Sequence, residues 1–384
     1  ISSAAGGYDI DNSCRFNDDD TAWLKRTPAS AGNLDTWSVS MWVKRSKIGA
    51  EQAMFHSRGD ASNKMGVSFD NDDTLVFNNR PGNGVGLTTT QLFRDVSAWY
   101  HLLCVYNSPA STEAERMRIY VNGSEITAFN SSTYPSVNTD GYANNTNPHW
   151  FGTQAESGAY YDGYLAEVHF TDGIVLTPSD VGEVGDYGEW KPIKYSGSHG
   201  TNGFYLDFKS SGSLGNDAAG SNNFVVTDLV ASDQMLDSPT NNFCTLNPID
   251  EAPSYKQTYT EGNLRTSGTS SGSFQMGTNG TLFSKNKMYY EILVEVTPGG
   301  NGTIMQFGFA PDNYTGSRLA SGNKDALSAR PGHTATTNSQ VGIVNHGVCV
   351  DRSYSLCYYD GPSSVAVPVT GFTNGDIIQC AFDP

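Results

Sequence analysis

The chain has 384 residues, more than one ordinary domain, and its 23 basic and 40 acidic residues leave a net charge of −17. So acidic a molecule repels nucleic-acid phosphates, which excludes DNA and RNA as expected partners. No apolar run reaches the ~18 residues of a membrane span, and 41 glycines, 20 tyrosines and only 16% charged residues point to turns and pleated sheets rather than long helices.

Residues 37–45, WSVSMWVKR, read as an early strand with Trp42 at its centre. The basic run Lys44-Arg45-Ser46-Lys47 ends it and is expected to solvate a sheet edge. Asp70, Asp72 and Asp73 crowd the turn of FDNDDTLVF, and Asp18, Asp19 and Asp20 form a second acidic cluster. Oxygen-rich loops of this kind hold calcium, so Asp70, Asp72 and Asp73 are the candidate metal ligands. Tight turns favour Asp and Asn for backbone reasons as well. No other cofactor is expected. Arg58-Gly59-Asp60 reads as a solvated turn.

Residues 99–107, WYHLLCVYN, supply the next strand, and 118–125, RIYVNGSE, an Asn-Gly hairpin. Trp150, Tyr160 and Tyr161 are the candidate ligand-binding residues, aromatics near strand ends that either stack on a sugar face or pack under loops. In 161–178, YDGYLAEVHFTDGIVLTP, Tyr164, Ala166, Val168 and Phe170 alternate with Leu165, Glu167 and His169. That is the pattern of a strand lying on a core with its second face wet. Glu167 is a lone outward acid, whereas a glycoside hydrolase needs two carboxylates. His101 and His169 have no Ser or Cys nucleophile motif beside them. No catalytic residues are assigned, and the protein is expected not to be an enzyme.

Taken in order, these four segments resemble the strands of the LamG-like, concanavalin-type jelly roll, a sandwich used more often for binding than for catalysis. The resemblance implies one such domain over residues 1–182. Residues 183–262 form a Gly/Ser/Asn-rich connector with short strands. Its run FYLDF at 204–208 opens a second, incomplete sandwich or belongs to a segment wrapped on the first domain.

In 263–384 a long alternating strand places Met288, Tyr290, Ile292, Val294 and Val296 on one face. LFSKNKMYYEILVEV, IMQFGFAPDN, VGIVNHGVCVDRSYSLCYYDG and GDIIQCAFDP resemble strands of the SPRY family. That family continues past the last of these, so the sandwich is incomplete at its C-terminus. The polypeptide is expected either to extend beyond Pro384 or to be completed by another subunit. The six cysteines have no CxxC spacing; Cys14 and Cys104 are expected as buried thiols, and Cys349 and Cys357 flank a hairpin as the one pair to check for a bridge, all six being expected as thiols after assembly in a reducing cytosol.

The order LamG-like sandwich, connector, SPRY-like sandwich resembles virion appendage proteins of tailed bacteriophages. The expected fold class is all-β. The expected function is that of a structural virion protein, a tail fibre used for host recognition, assembled in the host cytoplasm and carried on the particle. Its partners would be other virion structural proteins, a host surface glycan or protein receptor, and further copies of itself, for example in a trimer. The alternatives are a head fibre or capsid decoration protein, a secreted carbohydrate-binding adhesin, and a carbohydrate-active enzyme.

Overall fold

The computed structural model describes residues 7–249 except 61, 82–83 and 157, residues 258–267, and the segments 277–278, 288–295, 306–308, 349–351, 356–358, 367–368 and 374–382. The chain divides into two units, Ile1–Leu246 with Tyr259–Arg265, and Asn247–Thr258 with Thr266–Pro384.

In chain order, the strands of the first unit are β1 (Ser13–Phe16), β2 (Trp23–Arg26), β3 (Thr36–Arg45), β4 (Gln52–Arg58), β5 (Asn63–Phe69), β6 (Thr74–Pro81), β7 (Val85–Leu92), β8 (Trp99–Asn107) and β9 (Met117–Val121). They continue with β10 (Ser124–Glu125), β11 (Phe129–Thr133), β12 (His149–Phe151), β13 (Gly163–Asp172), β14 (Gly182–Val184), β15 (Trp190–Pro192), β16 (Phe204–Leu206), β17 (Val225–Thr227) and β18 (Gln234–Met235). One sheet runs β10-β9-β8-β3-β13-β1-β18, with β16 also on β13; the other runs β11-β7-β6-β5-β4-β12-β2-β17. A short helix, α1 (Pro178–Val181), follows β13; among the described residues no helix is long and apolar enough to cross a membrane.

Two-residue periodicity builds the space between the sheets. Trp37, Val39, Met41 and Val43 of β3 and Leu102, Cys104 and Tyr106 of β8 enter one buried cluster with Phe55, Phe77 and Phe151 of the facing sheet. Trp37 lies at its centre, stacked on Tyr106 at 5.7 Å and on Phe170 at 5.5 Å, with Phe77 edge-on at 5.9 Å. Burying each such ring contributes about 2–3 kcal/mol before entropy is counted. Cys14 and Cys104 are buried free thiols.

The alternation expected of β13 breaks in its middle. Its register against β3 shifts between Ala166, opposite Trp42, and His169, opposite Ser40, and Glu167 takes the left-handed conformation with φ 48°. A bulge of this kind reverses the phase of the pleat. Leu165 therefore joins Val168 and Phe170 in the core, while Tyr164 and Ala166 join Ile10, Trp42 and Trp99 in a second cluster on the outer face.

That outer face is not wet. Every residue from Gly163 to Thr171 is buried, because the chain after β13 folds back over it. Leu176 and Val181 cover Leu103 and Val105 of β8, and Trp190 and Met235 pack on the Trp42 cluster. The segment read as a connector also extends both sheets: β16 pairs with β13, β18 with β1, and β17 with β2. The FYLDF run is thus wrapped on the first sandwich. The same covering removes Lys44 and Arg45 from the solvated edge expected for them. They are 1% and 0% exposed, Lys44 paired with Asp237 on the outer side and Arg45 with Asp73.

In the second unit, Met288–Leu293 pairs antiparallel with Ile377–Phe382, and Gln306–Gly308, Cys349–Asp351, Leu356–Tyr358 and Val367–Pro368 form a four-stranded antiparallel sheet. The hairpin around Cys349 and Cys357 is present, but Cys349 stands opposite Tyr358 and Cys357 opposite Val350. The two cysteines are one position out of register. Val296 lies outside the described residues.

Candidate functional site

The bulge turns the Glu167 and His169 side chains to the outer face, into a buried polar chain. Glu167 Oε1 accepts hydrogen bonds from the hydroxyls of Tyr8, at 3.0 Å, and Tyr205. Its Oε2 lies 3.4 Å from His169 Nε2. His169 Nδ1 lies 3.1 Å from His199 Nε2, and the His169 ring stacks on Tyr205 at 4.3 Å. Burial, with the Glu167 charge beside them, raises the pKa of both tyrosines and keeps their hydroxyls protonated as donors.

His199 is the half-buried end of this chain, and it opens onto a groove of about 390 Å³. The groove lies between the loops 197–203 and 219–222 and is lined by Ser198, His199, Thr201, Ser221, Asn222 and small residues.

Both loops are held by their own hydrogen bonds. The Asp172 N–H donates to the His199 carbonyl at 2.8 Å, and Asp172 Oδ2 accepts from the Asn202 N–H at 3.0 Å. The Tyr195 hydroxyl donates to the Ser198 carbonyl at 2.8 Å. Buried Asp217 accepts from the N–H groups of Tyr205, Ala219 and Asn222, and Asn222 Nδ2 reaches across to the carbonyls of Thr201 at 2.9 Å and Gly203 at 2.7 Å. Arg26 locks the far side by donating to Asn222 Oδ1 and to the Asn202 carbonyl. Backbone crowding dictates two glycines: a Cβ on Gly203 would lie 1.8 Å from the His199 carbonyl oxygen, and Gly200 combines φ +77° with an approach of 2.3 Å to the Asp172 carbonyl oxygen.

No lysine, arginine or carboxylate lines the groove. Burial, helped by neighbouring His169, lowers the His199 pKa to about 4, so at neutral pH the groove presents only neutral donors and acceptors. Such a surface suits a neutral polyhydroxyl ligand, whose hydroxyls both donate and accept. It offers no cation to a phosphate.

The candidates named from sequence lie elsewhere. Tyr161 is fully buried, its hydroxyl donating to the Lys44 carbonyl at 3.0 Å. Trp150 is 5% exposed, in the central three-residue strand β12 between β2 and β4, with the Lys25 ammonium 5.8 Å from its ring. Neither ring presents a face to solvent: of the two alternatives left open by the sequence, both take the packed one, Tyr161 in the inner cluster beside Phe16 and Trp150 beneath Lys25. Tyr160 is half-buried and donates to the Glu156 carbonyl.

The acidic turn is likewise engaged by the protein itself. Asp73 Oδ1 accepts from Arg45 at 3.1 Å and from the Gly49 N–H at 2.7 Å, and Oδ2 accepts from Arg94 at 2.8 Å. Burial acts to raise the Asp73 pKa, but the Gly49 N–H and the two guanidiniums outweigh it and hold the carboxylate below its usual range. Asp72 caps the N–H and hydroxyl of Thr74, and Asp70 caps the Asn71 N–H. Among the described residues no group of three or more His, Cys, Asp or Glu side chains is arranged to hold a metal ion. His199, Ser221 and Asn222 were not singled out from sequence; their only signal is the density of Gly, Ser and Asn in SHGTNG and AAGSNN, which any loop shows.

Residues 18–182 match the profile of the concanavalin A-like lectin/glucanases superfamily, in its laminin G form. The first unit carries a laminin G-like jelly roll. Solved structures similar to the chain include the heptameric SAP-like pentraxin of Limulus polyphemus, at 16% identity over 44% of this chain and 80% of that one, with a TM-score of 0.32. A putative carbohydrate binding protein from Bacteroides ovatus aligns at 12% identity over 59% and 65% of the two chains, with a TM-score of 0.32. Domains LG4-5 of mouse laminin alpha1 align at 10% identity over 54% and 50%, with a TM-score of 0.33. No curated protein matches the sequence. The jelly-roll match ends at Val181-Gly182, so both loops of the groove lie outside it.

Proposed function

We propose that the protein is a non-enzymatic, glycan-binding component of a phage particle, a tail fibre that recognises its host through the groove beside His199. The supporting observation is the groove itself: its loops held by their own hydrogen bonds, its lining uncharged, and the whole mounted on a sandwich that matches the lectin/glucanase superfamily profile. Preorganisation of this kind reduces the ordering entropy that weak sugar contacts must overcome. The carboxylates behind the groove are all engaged by the protein itself, Asp217 by the N–H groups of Tyr205, Ala219 and Asn222, Asp172 by that of Asn202, and Glu167 by Tyr8, Tyr205 and His169, the arrangement of structural acids rather than of a hydrolase pair. The SPRY-like assignment of residues 263–384 belongs to the same proposal; it rests on the motifs quoted above and on the antiparallel pairing of Met288–Leu293 with Ile377–Phe382. In that reading the second unit supplies attachment to other virion proteins or to further copies of the chain.

The test is binding of the purified chain to neutral host-surface polysaccharides, with His199→Ala and Ser221→Trp as groove variants. The wild type is expected to bind and both variants to lose at least tenfold in affinity while retaining their melting temperature. Unchanged binding by a folded Ser221→Trp protein, whose groove is filled, would remove the groove from the account. Release of reducing ends from the polysaccharide would replace adhesion by hydrolysis.

A further inference from the structure

Lys44, the penultimate residue of β3, lies on the covered outer face, and its side chain is 1% exposed. Its ammonium nitrogen donates to Asp237 Oδ2 at 2.8 Å, to Asn242 Oδ1 at 2.8 Å and to the Phe243 carbonyl at 2.9 Å. A buried amine therefore stands one hydrogen bond from a carboxamide and one from a carboxylate. Asp237, 4% exposed, is fixed through its other oxygen by Trp99 Nε1 at 3.0 Å and the Phe243 N–H at 3.3 Å. Asn242 Nδ2 donates to the Ser97 carbonyl at 2.9 Å, which sets the orientation of the carboxamide. The Tyr164 ring lies 5.8 Å from the Lys44 nitrogen, and Trp99 packs on Tyr164 at 6.2 Å, so the amine is walled by aromatic surface.

A buried ammonium needs an acceptor for each of its three N–H groups, and here one of the three is the side-chain amide of Asn242. That amide, held against the amine, completes the set required for acyl transfer: a nucleophile, an electrophile and a proton carrier within direct reach of one another. We propose that Lys44 and Asn242 join in an intramolecular isopeptide bond, with Asp237 carrying the proton. The Lys44 ammonium gives a proton to the Asp237 carboxylate, and the lone pair so freed attacks Asn242 Cγ to form the Nζ–Cγ bond. The Cγ–Nδ2 bond then breaks, its electron pair leaving as ammonia together with a second proton from Nζ. The proton on Asp237 converts that ammonia to ammonium and restores the carboxylate. No oxidant, metal or co-reactant enters, and the exposed position of Asn242 gives the ammonium a way out. The product ties β3 covalently to the segment that covers its outer face, a tie that resists pulling. This inference stands whether or not the groove binds a glycan.

Proteolytic mapping of the purified full chain by mass spectrometry decides it. The expected result is a branched peptide joining residues 44 and 242, lighter than the two component peptides by one ammonia, and absent from Lys44→Arg and Asp237→Ala proteins. Recovery of Lys44 and Asn242 in separate, unmodified peptides from the folded wild type overturns the proposal, and that readout does not depend on any variant folding. Persistence of the branched peptide in Asp237→Ala overturns the role given to Asp237.

Discussion

The two faces of the sheet containing β13 are built on opposite plans. The inner face is a continuous aromatic and aliphatic layer around Trp37, Phe55, Phe77 and Phe170. The outer face mixes two smaller apolar clusters, one around Trp42, Trp99 and Tyr164 and one around Leu103 and Val105, with buried Lys44, Asp237, Glu167, His169 and His101. Burial is nearly as complete on both. The inner face is covered by a second sheet, whereas the outer face is covered by loops and short strands from residues 176–243. Loops bring backbone carbonyls and polar side chains with them, so a face they cover can satisfy buried charge. The inner face supplies cohesion, and the outer face is where chemistry is possible.

The comparison is broken most directly in the core. Trp37→Ala should cost about 3–5 kcal/mol, read as a fall in the midpoint of chemical denaturation at unchanged slope. Glu167→Gln on the outer face retains an acceptor for both tyrosine hydroxyls and should cost well under half as much. Equal losses would show that the outer network carries as much of the fold as the core does.

Acid should act next most strongly. Burial lowers the pKa of His56 and His101 to about 3 and of His149 to about 4. These folded-state values lie below the unfolded value of about 6.5. As pH falls below about 6.5 the unfolded chain takes up protons that the fold refuses, so stability is present above that pH and drains away beneath it. Each fully buried histidine should contribute a slope of about 1.4 kcal/mol per pH unit. Replacing His101 by Gln should remove one histidine's share of that slope in a pH series of melting curves.

Asp162 should behave in the opposite sense. Burial first, then the charge of Asp18, raises its pKa well above the carboxylate range, and its Oδ1 has no partner. Its folded-state pKa exceeds the unfolded one, so its ionisation destabilises the fold as pH rises through that window. Asp162→Asn is expected to raise the melting temperature at pH 7 and to have a smaller effect at pH 4. A lower melting temperature for Asp162→Asn at pH 7 would show that the carboxylate is stabilised by its neighbours.

The smallest effect concerns the groove. Because His199 is already neutral with a pKa of about 4, ligand binding should stay flat from pH 8 to pH 6 and decline only as the pH approaches 4. A transition near pH 6.5 would mean that the imidazole titrates freely.

The inner face was legible in the sequence because it obeys one rule. WSVSMWVKR and WYHLLCVYN read as strands and are strands, and the two-residue period then carries Val39, Met41, Val43, Leu102 and Cys104 to the core face. The same rule misplaced Leu165, Tyr164 and Ala166, since one left-handed residue at Glu167 reverses the pleat and no residue type there announces it. The outer face was illegible for a different reason. Whether Lys44, Trp42 or His101 meets water depends on where residues 176–243 fold, and that segment carries short strands of two or three residues with no periodicity to read. The candidate site failed with it: Trp150 and Tyr161 look like platforms only if their surroundings are open, while the groove is made from Gly, Ser and Asn loops that resemble every other turn in the chain.

Amide hydrogen exchange with and without a bound neutral polysaccharide tests the central claim, that the loops added after the jelly roll form the binding site. The account predicts ligand protection concentrated in residues 197–203 and 219–222, none at the 70–74 turn, and none at 149–151 or 160–162. Protection at the 70–74 turn or around Trp150, with the 197–203 and 219–222 loops unchanged, would contradict it.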